Sequence, residues 1–264
     1  MRSFMSRCKL TLLALLELIL IRILLHPILI GTIAFALPEG ANITNGNVTI
    51  TTPNNQTMQI NQSSDKAIIE WHSFNIGAQE KTQFIQPSSS SIALNRINPN
   101  QGASQIFGTL TANGRIILVN QAGIFFGPGS RVDVSSIIAS TSNISNANFL
   151  AGKYIFDIPS SFHGGIINEG EIIARDNGLV ALLGTGVSNS GLIQARLGTV
   201  VLAAGNKFTI DFNGDQLINF SVDEATNEAA VDPNGKKLQF GVNNAGKVLA
   251  DGGVIIVSDR KSVV

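Results

Sequence analysis

Residues 168–202 read NEGEIIARDNGLVALLGTGVSNSGLIQARLGTVVL and hold two copies of one phrase. Each copy begins with an asparagine, has a glycine two residues later, and continues with aliphatic residues at alternate positions, which is the period of a β-strand. Asn168 recurs as Asn189, 21 residues along the chain. A repeat of this length is typical of a solenoid, in which one copy cannot bury its own apolar face and successive copies must stack.

Two further copies extend the pattern, starting at Gly108 and at Gly246. We expect the aliphatic rows to face the interior of a three-faced parallel β-helix. The glycines are expected at corners, where the chain either takes a positive φ angle or approaches its neighbour closely. Asparagine tolerates turn conformations, and stacked asparagines can form ladders along such a helix. The residues assigned to maintaining the fold in this way are Asn168, Gly170, Asn189, Gly191, Asn244 and Gly246.

The composition fits one large β domain and excludes several classes of function. Of the 264 residues, 44% are hydrophobic and only 14% are charged, with a formal net charge of zero. No electrostatic field therefore points to nucleic acid, and none is predicted as a partner. The single cysteine is Cys8, and the histidines beyond the N-terminal segment, His72 and His163, lie far apart in the sequence. Neither a metal site nor a cofactor is predicted.

Residues 1–36 are predicted to be a signal peptide. Three basic residues precede a long apolar stretch, and Ala34-Phe35-Ala36 has the small-residue form of a cleavage site. A membrane anchor is the alternative interpretation, although Arg22, near the middle of the stretch, would be costly in a bilayer.

The rest of the chain is predicted to divide into two parts. Residues 37–160 would hold an N-terminal cap and the first coils, and 161–264 would continue the coils around a hairpin inserted at about 206–240. Asn213-Gly214 between alternating runs is a strong hairpin signal. Asp211, Asn213 and Asp215 have the spacing that opens a calcium loop, but Gln216 replaces the glycine such a loop needs, so the hairpin turn is favoured.

The sequence also makes predictions about the ends of the coil. Phe149, Leu150 and Tyr154, in a stretch that is less strand-like, are expected to cap or cover an end of the helix. No capping element follows the last strand, and an open end exposes a strand edge. The chain is therefore expected to be the N-terminal part of a longer protein or a truncated reading frame.

A series of short motifs resembles the filamentous haemagglutinin N-terminal domain family, the secretion domains of two-partner secretion exoproteins. The series starts with Glu70-Trp71-His72-Ser73-Phe74-Asn75-Ile76-Gly77. Further blocks agree in the same order: Ala93-Leu94-Asn95-Arg96-Ile97, Ser104-Gln105-Ile106-Phe107-Gly108, Thr111-Ala112-Asn113-Gly114, Gly123-Ile124-Phe125-Phe126-Gly127, Ala139-Ser140-Thr141-Ser142-Asn143-Ile144-Ser145 and Phe149-Leu150-Ala151-Gly152. The resemblance extends from about Leu37 to Val257, and it is the order of the blocks that makes it specific.

The resemblance implies an all-β fold and a role in export. The implied fold is a right-handed parallel β-helix, a single-stranded solenoid like that of pectin lyase, with an N-terminal cap and an extra-helical β-hairpin. The implied function is non-enzymatic: after Sec export to the periplasm, the POTRA domains of a TpsB-type outer-membrane β-barrel transporter recognise the extended chain, which then folds at the bacterial cell surface. Full-length members are commonly adhesins or haemagglutinins, and host or cell-surface receptors or glycans are implied as partners of downstream regions.

Two turn segments are the candidate transporter-recognition elements that the resemblance implies. The family's Asn-Pro-Asn-Gly-Ile segment is replaced here by Asn120-Gln121-Ala122-Gly123-Ile124, and a second Asn-Pro-Asn element stands at 98–100. The candidate recognition residues are Asn98, Pro99, Asn100, Asn120, Gly123 and Ile124, and the structural residues of the first block are Trp71, Phe74, Asn75 and Gly77. Trp71 is expected to close the N-terminal core, with docking to the transporter as the alternative.

Two other functions are kept as alternatives. The altered Gln121-Ala122 pair favours a truncated or orphan surface adhesin module without a working transporter. Parallel β-helices also include polysaccharide-active enzymes, and the repeats place charged side chains on the exterior, but fold analogy alone does not give activity. The charged residues concerned are Arg175, Asp176, Arg196, Lys247 and Asp251.

Overall fold

The computed structural model describes residues 37–212 and 218–258, which are almost entirely β-strand. Within these residues, no helix is long and apolar enough to cross a membrane. Three predictions fall outside the described residues: the signal peptide at 1–36, the residues from Asn213 to Asp215 that would form the hairpin turn or open a calcium loop, and the terminal segment 259–264.

Within residues 37–212 and 218–258, the strands follow one another with two short helical interruptions, the 3₁₀ turn Pro99–Gln101 and the α-helix α1 (Asn146–Leu150). In chain order the strands are β1 (Asn42–Asn45), β2 (Val48–Asn54), β3 (Thr57–Gln62), β4 (Lys66–Trp71), β5 (Lys81–Ile85), β6 (Ile92–Ile97), β7 (Ser104–Ile106), β8 (Thr109–Ala112), β9 (Arg115–Val119), β10 (Ile124–Phe126), β11 (Arg131–Val134), β12 (Ser136–Ser140), β13 (Tyr154–Phe156), β14 (Ile166–Asn168), β15 (Glu171–Ala174), β16 (Leu179–Gly184), β17 (Val187–Asn189), β18 (Leu192–Ala195), β19 (Thr199–Ala204), β20 (Lys207–Phe212), β21 (Ile218–Glu224), β22 (Val242–Asn244), β23 (Lys247–Leu249) and β24 (Val254–Ser258).

Three sheets form the faces of a parallel β-helix, as predicted. Sheet 1 has the order β2-β3-β5-β8-β11-β15-β18-β23, sheet 2 the order β1-β4-β6-β9-β12-β16-β19-β24, and sheet 3 the order β22-β17-β14-β10-β7. The chain passes from sheet 1 to sheet 2 to sheet 3 in each coil, and consecutive coils pair in parallel. Only β1 with β4 and β2 with β3 are antiparallel within these three sheets, and they form the N-terminal cap.

The repeated aliphatic residues face inward in register. Ile172 of β15 lies opposite Ile193 of β18, which lies opposite Val248 of β23. Ile172 and Ile193 have no exposed side-chain surface, and they belong to one core that follows the helix from Met58 to Leu202. Burying such side chains stabilises the fold by roughly 1.5–3 kcal/mol each. The inward alternation read from the sequence is therefore confirmed.

The repeat glycines serve close approach rather than a positive φ angle. A Cβ atom on Gly191 would lie 2.1 Å from the carbonyl oxygen of Gly170 in the preceding coil. Neither glycine has a positive φ. Of the two roles expected for these residues, it is the contact between coils that requires glycine here, because any side chain would force the corners apart.

The predicted asparagine ladder is present at the end of sheet 3. Asn168 Nδ2 donates to Asn189 Oδ1 at 2.7 Å, and Asn189 Nδ2 donates to Asn244 Oδ1 at 2.7 Å. Asn168 and Asn189 are fully buried, so these bonds satisfy polar groups that water cannot reach. The ladder also ties the coil after the hairpin insertion to the coils before it.

Sheet 2 differs from the other two sheets because its central strands β12, β16 and β19 are buried on both faces. The antiparallel sheet 4, of order β13-β20-β21, packs with α1 on its outer face and encloses a second apolar cluster. Phe149 and Tyr154 belong to this cluster. The expectation that they cover an end of the helix is therefore wrong: they cover its side, where the outward residues of sheet 2 are themselves apolar.

Two segments leave the coil between sheet 2 and sheet 3. Residues 141–165 contain α1 and β13, and residues 205–241 contain β20 and β21, which pair antiparallel and confirm the predicted hairpin. After the hairpin, the Val231 N–H donates to the carbonyl of His163 at 2.9 Å, which joins the second segment to the first. The coil then resumes with β22, as predicted.

Arg96 fastens the first of these segments to sheet 2. Its guanidinium pairs with Glu70 on the neighbouring strand, and it donates to Asn143 Oδ1 and to the carbonyl of Ile144, each at 2.8 Å. A further bond of 2.9 Å goes to Asn146 Oδ1. Because only 17% of the side chain is exposed, these charge-assisted bonds are partly shielded from water.

Replacing Asn189 by alanine tests the ladder. The Asn189→Ala variant leaves the Asn168 amide and the Asn244 oxygen without their ladder partner, and we expect a loss of about 2 kcal/mol in the free energy of unfolding, measured in urea. Asn243→Ala, an exposed neighbour of the ladder, is the control and should change stability by less than about 0.5 kcal/mol. Equal effects of the two changes would contradict a stabilising ladder.

Replacing Arg96 by methionine tests the clamp, because methionine keeps the apolar stem and removes the guanidinium. We expect Arg96→Met to lower the free energy of unfolding by about 2–3 kcal/mol, since Glu70 and the loop carbonyl lose their donor. Amide hydrogen exchange in α1 and β13 should also become faster. Arg196→Met, which breaks an exposed pair with Asp176, should have little effect on either measurement; unchanged exchange in Arg96→Met would refute the clamp.

Candidate functional site

The predicted recognition residues lie on one edge of the helix, the corner between sheet 2 and sheet 3. Three successive coils turn there, at residues 72–75, 98–103 and 120–123. A narrow cleft borders all three turns, and its lining includes Phe74, Gly102 and Asn120. Segments that are separate in the sequence are thus stacked in adjacent coils.

The first turn is built by the block that starts at Trp71. The Trp71 and Phe74 rings meet edge to face at 5.4 Å, and both are buried in the core. The indole N–H of Trp71 donates to Asn95 Oδ1 at 3.0 Å. This geometry places Trp71 in the N-terminal core, and its burial leaves little of it available for docking to a folded partner.

The end of this block is fixed by side-chain bonds to backbone groups. Asn75 Oδ1 accepts from the Gln105 N–H at 2.8 Å, in the next coil. The Gly77 N–H donates to the carboxylate of Glu80 at 2.7 Å. Both contacts hold the chain in its turn toward sheet 1, the first through the side chain of Asn75 and the second through the backbone of Gly77.

The second turn is a 3₁₀ helix capped by Asn98. Asn98 Oδ1 accepts from the Asn100 N–H at 3.1 Å, while its own N–H donates to the Trp71 carbonyl at 2.9 Å in the preceding coil. Pro99 occupies the first helical position, where its missing N–H costs nothing. Gly102 ends the turn with φ of 85°. Asn98 and Pro99 are half-buried, and Asn100 is exposed.

The third turn depends on Asn120, which is fully buried. Its Nδ2 donates to the Gly102 carbonyl and to Ser104 Oγ, both at 3.0 Å, and its Oδ1 accepts from the Ala122 N–H at 2.9 Å. The Asn120 side chain therefore stabilises its own turn and joins it to the second turn, in the preceding coil. Sequence reasoning missed Gly102 and Ser104 as the partners, although Gly102 directly follows the Asn-Pro-Asn-Gln run.

The replacement of the family's Pro-Asn pair by Gln121-Ala122 leaves this turn intact. The Gly123 N–H donates to the Asn120 carbonyl at 2.9 Å, and Gly123 has φ of 110°, which only glycine adopts without strain. Gln121 contacts the segment 141–165, because its Nε2 donates to the Pro159 carbonyl at 2.8 Å. Gly123 and Ile124 are buried. The inserted segment 141–165 thus covers part of the third turn.

The remaining predicted residues do not belong to this corner. Asn168, Gly170, Asn189, Gly191, Asn244 and Gly246 line the other end of sheet 3, where they form the ladder and the glycine contacts already described. In the folded domain, therefore, only part of the candidate set is open to solvent, and Asn100 is its most accessible member.

The described side chains whose pKa departs from the ordinary value lie outside the corner. Burial raises the pKa of Tyr154 above its ordinary value, and the charge of Arg115 opposes this. A hydrogen bond from Lys207 lowers the pKa of Glu224. Within the described ranges, no three His, Cys, Asp or Glu side chains are grouped so as to hold a metal ion. The corner offers turns and exposed amides for recognition.

Comparison with known proteins matches this geometry to one family. The profile of the TPS secretion domain covers residues 34–261. A heme/hemopexin-binding protein of Haemophilus influenzae (strain ATCC 51907 / DSM 11121 / KW20 / Rd) is 33% identical over 207 residues, which are 75% of this chain and 22% of that protein. The chain thus spans about a fifth of the length of this curated relative.

Solved structures share the fold. The HMW1 secretion domain from Haemophilus influenzae superposes with a TM-score of 0.69 at 32% identity, over 84% of this chain and 57% of that one. The filamentous hemagglutinin secretion domain gives a TM-score of 0.51 at 14% identity, over 84% of this chain and 99% of that one, and supports the fold alone. Since the family profile spans nearly the whole β-helix, the chain belongs to the TPS secretion domain family, which is not a known family of enzymes.

Proposed function

We propose that this domain directs a longer exoprotein through a dedicated TpsB-type outer-membrane transporter. Residues 1–36 would direct Sec export to the periplasm, the POTRA domains of the transporter would bind the chain, and the β-helix would fold at the cell surface. Residues 37–160 would supply the recognition segments and the first coils, and 161–264 would continue the helix around the 206–240 insertion.

The burial of Asn120 in the third turn carries this proposal. The Asn120 side chain is hydrogen-bonded to Gly102, to Ser104 and to the backbone of its own turn. In the folded domain those groups are closed to a partner, whereas in an extended chain they are free to bind. The same residues can therefore serve the transporter before folding and the corner afterwards. We therefore place recognition first, while the Asn120 side chain is free in the extended chain, and folding of the corner second.

Coil-by-coil pairing supports folding as the chain emerges. The N-terminal cap occupies one end of the stack, and each later strand pairs with the coil already formed. In solenoids each unit contacts only its neighbours, so folding can propagate from one end. The family's cap would thus act as the starting surface for the rest of the exoprotein.

The activity of the full exoprotein is a separate proposal. We propose an adhesin or haemagglutinin, whose receptors or glycans would be bound by regions beyond this chain. The heme/hemopexin-binding relative points to heme or hemopexin capture as a second candidate, since its similarity covers 75% of this chain. An orphan module without a transporter is disfavoured because Asn120 and Gly123 preserve the third turn despite Gln121-Ala122.

Co-expression with the cognate transporter tests the export role. The Pro99→Ala/Asn100→Ala variant changes the accessible part of the second turn and keeps the Asn98 cap. We expect the secreted fraction to fall roughly tenfold, the effect of losing about 1.4 kcal/mol of binding, while the urea unfolding midpoint of the purified domain stays unchanged. The measurement is the share of the chain in the medium and in the periplasm.

Asn148→Ala, the same loss of an amide on α1, is the matched control and should be secreted like the native chain. A cell lacking the transporter should retain all three proteins. Equal secretion of the native chain with and without the transporter would overturn the proposal, and equal secretion of native and turn variants would remove the 98–100 element from it.

A further inference from the structure

The end of the first inserted segment closes over the third turn of the sheet 2–sheet 3 corner. We call this end, residues 159–165, the latch. Gln121 Nε2 donates to the Pro159 carbonyl at 2.8 Å, and Ser160 Oγ donates to the Gln121 carbonyl at 2.6 Å. Each of the two segments therefore donates one hydrogen bond to the other.

The latch also covers the backbone of the turn. A Cβ atom on Gly164 would lie 2.2 Å from the carbonyl carbon of Ala122 and 2.3 Å from the nitrogen of Gly123, so only glycine fits there. The Ile124 N–H donates to the Gly165 carbonyl at 3.1 Å. Because Gly123 and Ile124 are buried, a partner can reach them only after the latch has moved away.

The second inserted segment holds the latch in place. The Gly165 N–H donates to the Val231 carbonyl at 3.0 Å, and the Val231 N–H donates to the His163 carbonyl at 2.9 Å. The Leu238 side chain packs close to Gly165, where a Cβ atom would lie 3.0 Å from it. His163 has φ of 54°, a left-handed conformation that is unfavourable for a residue with a Cβ atom. The latch therefore depends on these contacts to stay closed.

The two sides of this contact are far apart along the chain. Gln121 and Pro159 are separated by 38 positions, which span up to about 130 Å in an extended chain. A bilayer with its headgroups is only about 40–45 Å thick. An extended chain threaded through a barrel can thus hold the turn on one side of the membrane while the latch lies on the other. The latch can close only when both are on the same side.

We propose that the latch is an autoinhibitory element, which closes the third turn once the coils form and so prevents the folded domain from binding its transporter again. This inference rests on the proposed function, because it takes the third turn as a recognition element. The transporter would bind chains whose latch is open, and closure after export would make release one-way. The apparent affinity of the folded domain for the POTRA domains then falls with the fraction of molecules whose latch is open.

Binding of the full chain to the purified POTRA domains of the cognate transporter, measured by biolayer interferometry, tests the latch. We expect Gly164→Ala to bind at least about tenfold more tightly than the native folded chain, since the added Cβ raises the open fraction. Gly191→Ala is the matched control, because its Cβ would lie 2.1 Å from the Gly170 carbonyl oxygen, in a corner without candidate recognition residues. It should lower the urea unfolding midpoint as Gly164→Ala does, but bind within about twofold of the native chain.

A milder pair of variants gives a second measurement if Gly164→Ala does not fold. Ser160→Ala removes one bond between the latch and the turn, and it should raise the affinity of the folded chain about fivefold. Amide hydrogen exchange at residues 121–124 should also become faster. Ser161→Ala, an exposed neighbour, is the control and should change neither quantity.

The outcomes separate the latch from the export role. The native chain, added from urea, should bind the POTRA domains before it refolds; if it does not, the proposed function fails and the latch with it. If that chain binds, but the folded native chain binds as tightly as Gly164→Ala or Ser160→Ala, the latch is overturned and the export role stands. An equal gain in Gly164→Ala and Gly191→Ala would also overturn the latch, because lost stability alone would then expose the recognition elements.

Discussion

The parallel strands of sheets 1, 2 and 3 depend on neighbouring coils for their hydrogen bonds. The Leu192 N–H reaches the Gly170 carbonyl at 2.9 Å, and the Lys247 N–H reaches the Gly191 carbonyl at 2.8 Å, so the ladder runs along the axis of the helix. Buried backbone groups must be paired, and a coil pairs them only if its neighbour lies about 4.8 Å away. That spacing requires glycine where Gly191 meets Gly170, and it aligns the buried asparagines into a ladder.

The same constraint links structure to export. A strand that needs the preceding coil has no stable fold alone, so a chain that has not yet formed its coils would stay extended, as the proposed transport through a barrel requires. In the proposed function, the turns of the sheet 2–sheet 3 corner would then change role, because groups such as the Asn120 amide become internal once the coils stack. Both inserted segments also leave from this corner, and they cover sheet 2 without interrupting the backbone hydrogen bonds between coils.

The sequence was sufficient for the coil but not for its surroundings. Period-two aliphatics, the Asn168 and Asn189 repeat, and the alternating runs around the insertion each follow from local chemistry, and they predicted the helix, the ladder and the hairpin. The covered face of sheet 2 was missed, although the unbroken apolar run of β16 is its signal. The pairing of Asn120 with Gly102 and the clamp at Arg96 depend on register across coils of unequal length, which no local pattern contains.

Distances along one outward row of sheet 1 test the stacked coil most directly. Gln59, Ile173, Gln194 and Leu249 lie in this row, with the latter three separated from Gln59 by four, five and six strand steps. With Cys8 replaced, pulsed EPR between a nitroxide at Gln59 and one at Ile173, Gln194 or Leu249 should give distances near 19, 24 and 29 Å, a rise of about 4.8 Å per coil. Distances that do not rise regularly along this series would contradict the stacked β-helix.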